Sequence, residues 1–473
     1  MEKDGRMKAL LMGKARSAIA PTAVVLAVSF FYGATLRAGH DWGGDFALYI
    51  LHAKNIAEGR AYAATPFVYN PHAPSHSPKA YPPVYPLILA LPYSLWNLDY
   101  RAFKLVNLGF FAGALWALYL FARARLDAPH SVMLILLTGL APIFWELKDQ
   151  VLPDVPYLCV TLITLVCVRF FYSHGWVIRR PWAAGAVAGT LAAAAYGLRA
   201  IGLVMVLAIV VYGLVEFRKA WQFLIAVCGI FALWAFLFAY LGYGNGSYLA
   251  QLRFMPLATA RAYLQAWGYI FYTGYGPAKL QYVLAAPVAL LAARGFYRRL
   301  RQMAEPAEAY VLLYMALLLI WSTGYGVRYL APILPLLLCY VFEDFQRRRK
   351  KWVTAIVLGT ICLSFALRYT TLPFGKPMDG VLNLEFQRMA AYVRSTAGTS
   401  DTYLFWNPRV LALYTGAKAA CFSDPGQHDN EAFYKGLGVS HMVYGGGGTE
   451  SPSSANATGC EYMTQSYQVC RIR

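Results

Sequence analysis

Acidic side chains are scarce in this chain: 23 Asp and Glu stand against 42 Lys and Arg in 473 residues. Their positions are therefore informative. Asp41, Asp45 and Glu58 follow the first long apolar run, and Glu146, Asp149 and Asp154 fall between two later ones. A carboxylate at a membrane boundary is costly to bury and tends to face a cavity or a partner. Two such groups, brought together from separate loops, could meet over one cleft. One would take a proton from an incoming hydroxyl, and the other would orient it or hold a cation. Taken singly, each is better accounted for as a solvated interfacial charge. The surroundings of Asp45 are more specific. Tyr49 and Ala53 follow it at steps of four, so the three share one side of a short amphipathic helix at the membrane surface. Farther on, Lys79-Ala80-Tyr81-Pro82-Pro83-Val84-Tyr85-Pro86 carries enough proline to fix an extended, rigid segment.

The elements that position these groups follow from composition. Hydrophobic residues make up 59% of the chain and charged residues 14%, against roughly 25% charged in a soluble globular protein. A disordered chain is excluded, since disorder needs low hydrophobicity. A polytopic membrane protein remains. The net charge of +19 is spread in short clusters between apolar runs, the pattern of topology signals rather than of a nucleic-acid-binding stripe. Ser17 to Leu36 is longer than a signal-peptide core and is read as an uncleaved first span with its basic end in the cytoplasm. Val84–Trp96 is too short to span and is assigned to the outer interface. With basic clusters such as Arg123/Arg125 and Arg347–Lys351 inside, further spans fall near 102–122, 130–148, 152–172, 182–198, 200–216, 221–241, 280–296, 307–324, 328–342 and 352–370. That makes about eleven in all.

Residues 371–473 change character. Phe386, Met389 and Val393 recur at helical spacing after Leu382. Tyr403–Trp406 and His441–Tyr444 read as short strands, and Arg409–Thr415 as a short helix ended by Gly416. The fold class is thus mainly α, a transmembrane helical bundle over 1–370 with a first outer loop at 37–101. A small extracytoplasmic α/β domain occupies 371–473. Cys460 and Cys470 flank an alternating stretch and could bridge a hairpin in an oxidising compartment. The other cysteines show no metal-ligand spacing.

On this topology Lys79, Arg199, Arg253, Arg261, Lys279 and Arg328 lie on the face that carries the carboxylates. Arginine is the better bidentate phosphate ligand, and lysine acts as a point charge. The aromatic-rich loop 242–278 around Arg253 and Arg261 reads either as an interfacial lid or as an aromatic belt with snorkelling arginines. His40, His72 and His76 read as solvated loop histidines, with metal ligation the minority alternative.

Taken in order along the chain, these segments resemble the GT-C membrane glycosyltransferases. The closest group contains protein O-mannosyltransferases, lipid A aminoarabinose transferases and related bacterial sugar transferases. The resemblance starts with the Asp-x-x-x-Tyr stretch at Asp45 and with Tyr81-Pro82-Pro83-Val84-Tyr85-Pro86. It continues through Lys148–Pro156 with Asp154, a weaker match at Tyr196-Gly197-Leu198-Arg199, Arg328-Tyr329-Leu330-Ala331-Pro332-Ile333-Leu334-Pro335, and Asn407–Gly416. One departure is Phe46, where many members carry Glu; it leaves metal dependence and acceptor class open. The resemblance implies a polyprenyl-phosphate-linked sugar as donor and inverting glycosyl transfer. The acceptor would be a glycolipid, a cell-envelope glycan or a protein. Asp45 would be the general base, with Asp154 supporting the acceptor, Asp45 or a divalent cation near both. Lys79, Arg199, Arg253, Arg261 and Arg328 would bind the donor phosphate, and Tyr49, Tyr81, Tyr329 and Asp149 would position donor or acceptor. The protein would lie in a bacterial inner membrane with its C-terminal domain outside. The alternative is a transporter or flippase of a lipid-linked sugar. It is disfavoured because the carboxylates lie at the boundary rather than the midplane and the two halves are unlike.

Overall fold

The computed structural model describes residues 2–73, 76, 78–215, 217–243, 255–275, 279–302, 305–320, 326–347, 351–424, 431–445 and 459–472. The membrane-type part begins with α1 (Glu2–Ala34), α2 (Asp45–Ala57), a two-residue strand β1 (Phe67–Val68), α3 (Val84–Trp96), α4 (Tyr100–Arg123) and α5 (Ala128–Gly139). It continues with α6 (Pro142–Leu147), α7 (Asp154–Ser173), α8 (Trp176–Arg179), α9 (Pro181–Leu198), α10 (Leu203–Val215) and α11 (Phe217–Tyr240). Then come α12 (Pro256–Ile270), α13 (Leu280–Gln302), α14 (Pro306–Ile320), α15 (Val327–Leu330), α16 (Leu334–Arg347) and α17 (Lys351–Thr371). Among the described residues, 5 helices are long and apolar enough to cross a membrane: α4, α7, α13, α17 and Ala220–Tyr240 of α11. Shorter apolar helices of 10–17 residues accompany them, α3, α5 and α14 among them.

Two expected spans are broken. The stretch 130–148 divides into α5 and α6, because Pro142 opens a new helix at its first turn and keeps the preceding residue out of helical geometry. The stretch 328–342 divides into α15 and α16 around Pro332 and Pro335, since proline lacks the N–H that a continuous helix needs. The helix expected at the interface has the expected bounds, Val84–Trp96. The helix from Asp45 departs from expectation: it is not amphipathic at a surface but buried from Phe46 to Ala53. The C-terminal domain packs on it.

That domain contains α18 (Leu384–Thr396), β2 (Thr402–Leu404), α19 (Pro408–Thr415), β3 (Lys418–Ala420), α20 (Glu431–Gly436), β4 (His441–Gly445), β5 (Cys460–Met463) and β6 (Tyr467–Arg471). Phe386, Met389 and Val393 form the buried stripe of α18. Gly416 ends α19 in left-handed geometry, which glycine adopts without a Cβ clash. Cys460 and Cys470 are disulfide-bonded across β5 and β6. The sheet runs β1-β3-β2-β4-β6-β5. One edge is β1, contributed by the segment 37–101 that follows α1 and paired in parallel with β3. A strand from the segment before α3 thus completes the sheet of the C-terminal residues. The same segment is pinned elsewhere: the N–H of Met378 bonds Ala38 O and that of Val381 bonds His40 O. A Cβ on Gly380 would lie 2.3 Å from His40 O, so this crossing admits only glycine.

At the far end of α7 from Asp154, Arg125 donates to Glu308 (2.8 Å) and Glu305 (2.7 Å). Tyr340 donates to Glu308 at 3.0 Å. Arg299 pairs with Glu343 at 3.0 Å, and Arg298 with Asp344 at 2.6 Å. This buried network joins the ends of α4, α13, α14 and α16.

Candidate active site

Asp45 and Asp154 each open a helix, α2 and α7, where unpaired N–H groups and the helix dipole favour an anion. Gly44, just before α2, lets α19 approach: a Cβ there would lie 2.9 Å from Asn407 Oδ1. Asn407 in turn donates to Trp42 O at 2.5 Å.

A single guanidinium joins the two carboxylates. Arg328 donates through Nε to Asp154 Oδ2 at 2.9 Å and through Nη1 to Asp45 Oδ2 at 3.1 Å. It is carried by α15, entered through Gly326 at φ 52°. Arg199 binds the other oxygen of Asp154, Oδ1, through Nη1, and its guanidinium lies 4.9 Å from the centre of the Tyr329 ring. Arg199 reaches this place because α9 packs closely on its neighbours. A Cβ on Gly197 would meet Val84 at 2.4 Å and Phe238 at 2.8 Å.

The other oxygen of Asp45 faces the segment between α2 and α3 and the C-terminal domain. Tyr81 donates its hydroxyl to Asp45 Oδ1 at 2.5 Å, and its ring stacks on Tyr49 with centroids 4.4 Å apart. Arg409 of α19 donates to the same oxygen at 3.2 Å. Burial raises the Asp45 carboxyl pKa, but Arg328, Arg409 and the Tyr81 hydroxyl outweigh it and hold the group down at about 2. Asp41 is held at about 2 as well: burial raises it, and His40, Gln150 and the Gly43 N–H lower it.

A cavity of about 400 Å³ opens beside this cluster, lined by Asp41, Asp45, Glu146, Gln150 and Arg328 with Ile143, Leu147, Leu152 and Val327. Side-chain exposure is 34% for Asp45 and 24% for Arg328, but 1% for Asp154. The two carboxylates therefore do not face each other across open space. Asp45 meets the cavity, and Asp154 lies behind Arg328.

The remaining candidates divide. Tyr49, Tyr81, Tyr329 and Arg199 belong to the cluster. Asp149 is held apart by Lys148 at 2.6 Å and by the Arg37 N–H at 2.9 Å, in a buried knot that also holds Lys104. Lys79 and Arg261 are exposed, and Arg253 lies outside the described residues. Arg409 carries no site role in the sequence reading, although its segment is among the recognisable ones; its partner lies 364 residues away. Glu146 binds Arg368 at 2.7 Å at the cavity rim. Among the described residues no three His, Cys, Asp or Glu side chains come together as a metal cluster. Between Asp45 and Asp154, where the sequence left room for a divalent cation, Arg328 already supplies the positive charge, so the residues as arranged do not fit a shared metal.

No family model matches the chain, and no curated protein matches it in sequence. Solved structures do match. The oligosaccharyltransferase AglB from Archaeoglobus fulgidus, in complex with an inhibitory peptide and a dolichol-phosphate, is similar at TM-score 0.57 and 12% identity, over 90% of this chain and 69% of that one. ArnT from Cupriavidus metallidurans, bound to undecaprenyl phosphate, is similar at TM-score 0.56 and 13% identity, over 96% of this chain and 97% of that one. A further structure of the Archaeoglobus fulgidus oligosaccharyltransferase is a complex with Zn and sulfate, similar at TM-score 0.55 and 14% identity over 89% of this chain and 68% of that one. At such identities the likeness is one of fold, and it extends over nearly the whole chain: this protein shares the fold of the oligosaccharyltransferase AglB and of ArnT.

Proposed function

We propose that this protein is a membrane glycosyltransferase that moves a sugar from a polyprenyl-phosphate-linked donor to an extracytoplasmic hydroxyl acceptor. The acceptor is a glycolipid, a cell-envelope glycan or a protein. The observation that carries the reading is Arg328, one guanidinium held between two carboxylates at the edge of a cavity. A phosphate arriving there meets a cation already oriented, with Arg199 behind it. Neighbours of the same fold bind dolichol-phosphate or undecaprenyl phosphate.

The acceptor hydroxyl attacks the anomeric carbon while Asp45 takes its proton. The bond from that carbon to the phosphate oxygen breaks, and the lipid phosphate leaves with the electron pair. It is a good leaving group, so the need is for positive charge rather than for a strong acid. Arg328 and Arg199 supply that charge. As long as Arg328 binds Asp45, the carboxylate is a weak base. A donor phosphate that draws Arg328 toward itself relieves that hold and raises the proton affinity of Asp45 as the donor binds. Asp154 keeps both arginines oriented. The active site faces the outside of a bacterial inner membrane, where the disulfide-bonded domain also lies.

The test is Asp45→Asn. Transfer should fall by about 10²–10⁴-fold, the range for loss of a general base, with insertion and folding intact. Undiminished transfer would exclude Asp45 as the base.

A further inference from the structure

The soluble domain reaches into this site through one side chain. Arg409 is the second residue of α19, which packs on α2. Its side chain is 5% exposed, and its guanidinium lies 5.0 Å from the Phe67 ring centre and 5.1 Å from that of Tyr81. Nη1 donates to Tyr81 Oη at 2.7 Å and to Asp45 Oδ1 at 3.2 Å. Nη2 donates to the carbonyls of His76 and Pro78. Phe67 belongs to β1, the strand that the outer loop lends to the domain's sheet. The loop completes the sheet, and the domain returns an arginine to the helix terminus that carries Asp45.

The two oxygens of Asp45 are treated differently. Oδ1 accepts from Tyr81 and Arg409, and Oδ2 accepts from Arg328 alone among the described residues. Arg328 lines the cavity, whereas Arg409 is anchored to the backbone carbonyls of His76 and Pro78. We propose that Arg409 is a positioning residue that clamps Asp45 through Oδ1 and so leaves Oδ2 as the atom that meets the acceptor. The C-terminal domain is then an obligate part of the active centre rather than an appended module. This rests on the transfer reading for its chemical consequence, but not for the clamp itself.

The charged and titratable groups around Asp45 are Arg328 from α15, Arg409 from α19, Tyr81 and His76 from the outer loop, Tyr49 from its own helix, and Asp154 with Arg199 behind Arg328. Removing Arg409 deletes one of the two cations, so the carboxyl must protonate at higher pH.

The experiment uses the full-length protein in lipid nanodiscs as wild type, Asp45→Asn, Arg409→Ala and Arg409→Lys. Infrared titration against Asp45→Asn reads the Asp45 carboxyl directly. In Arg409→Ala its protonation should move up by about one pH unit, as expected on losing a neighbouring cation, with Arg409→Lys in between. Transfer by Arg409→Ala should lose about 10–100-fold in kcat, the scale of a misplaced catalytic group. Apparent donor KM and the binding of undecaprenyl phosphate as probe should stay unchanged, and Arg409→Lys should restore part of the rate. An unmoved titration overturns the clamp. So does an unmoved kcat, or a kcat lost together with carrier binding. If Arg409→Ala fails to fold, Arg409→Lys carries both readouts. Full transfer by Asp45→Asn would instead remove the function reading, with the titration still deciding the clamp.

Discussion

Two clusters of arginines and carboxylates occupy opposite ends of α7. At one end Arg328, Arg199 and Arg409 surround Asp45 and Asp154. At the other, Arg125 and Arg299 engage Glu305, Glu308 and Glu343. The side chain of Arg125 is 0% exposed and both its terminal nitrogens bind carboxylates. Arg328 is also doubly engaged, yet its flank lines a cavity large enough for a substrate group. A closed pair resists rearrangement, because separating buried charges exposes each to a poor solvent. An open pair can exchange one carboxylate for an incoming phosphate of like charge. Ion pairing alone therefore does not mark a site; access to the cation does.

The comparison is broken most forcefully by Arg125→Ala. It should cost about 3–5 kcal/mol of stability, since it leaves Glu308 buried without its cation. A detergent-stability melt would register it, and apparent donor KM should not move. A change in donor KM larger than the change in stability would deny that the far cluster is only a clamp. Arg328→Ala should do the reverse. It removes a charge-assisted contact worth about 1.5–3 kcal/mol, so the donor requirement should rise by roughly ten-fold or more while the acceptor requirement stays the same. Equal effects on both substrates would sink its phosphate role.

A pH series sharpens the contrast further. Asp45 has its folded pKa depressed to about 2. Its stabilisation is therefore complete above the ordinary carboxylate value and is lost as pH falls from about 4 through about 2. Acid unfolding in that window should be shallower in Asp45→Asn than in wild type. An identical acid limb would mean that the two arginines do not hold the carboxylate. Smallest of all, Lys79→Ala and Arg261→Ala remove exposed charges. Each should change stability by no more than about 0.5 kcal/mol, and transfer by less than about three-fold, more at low salt than at high.

Much of the frame was legible because hydropathy and proline act locally. The length of Val84–Trp96 placed α3 at its observed bounds, and Gly416 ended α19 where expected. Asp45 and Asp154 stood out as rare acids next to apolar runs, and both open helices. Two expected spans, 130–148 and 328–342, were broken by prolines within them; elsewhere the reading failed because of neighbours distant in sequence. The helix from Asp45 has the periodicity of a half-exposed element, yet α19 covers it. Asp149 shares its loop with Asp154 but is captured by Lys148 and the Arg37 backbone.

The chain's own order of residues determined which segments are helical, which are apolar, and which few side chains could ionise beside them. Those properties depend on neighbours within a turn or two. Only the folded arrangement decided that Asp154 lies behind Arg328, that a strand from the first loop completes the C-terminal sheet, and that Arg409 grips Asp45. Each of these joins residues more than a hundred positions apart. No local pattern encodes such a pairing; it is chosen by how the helices and the sheet pack together.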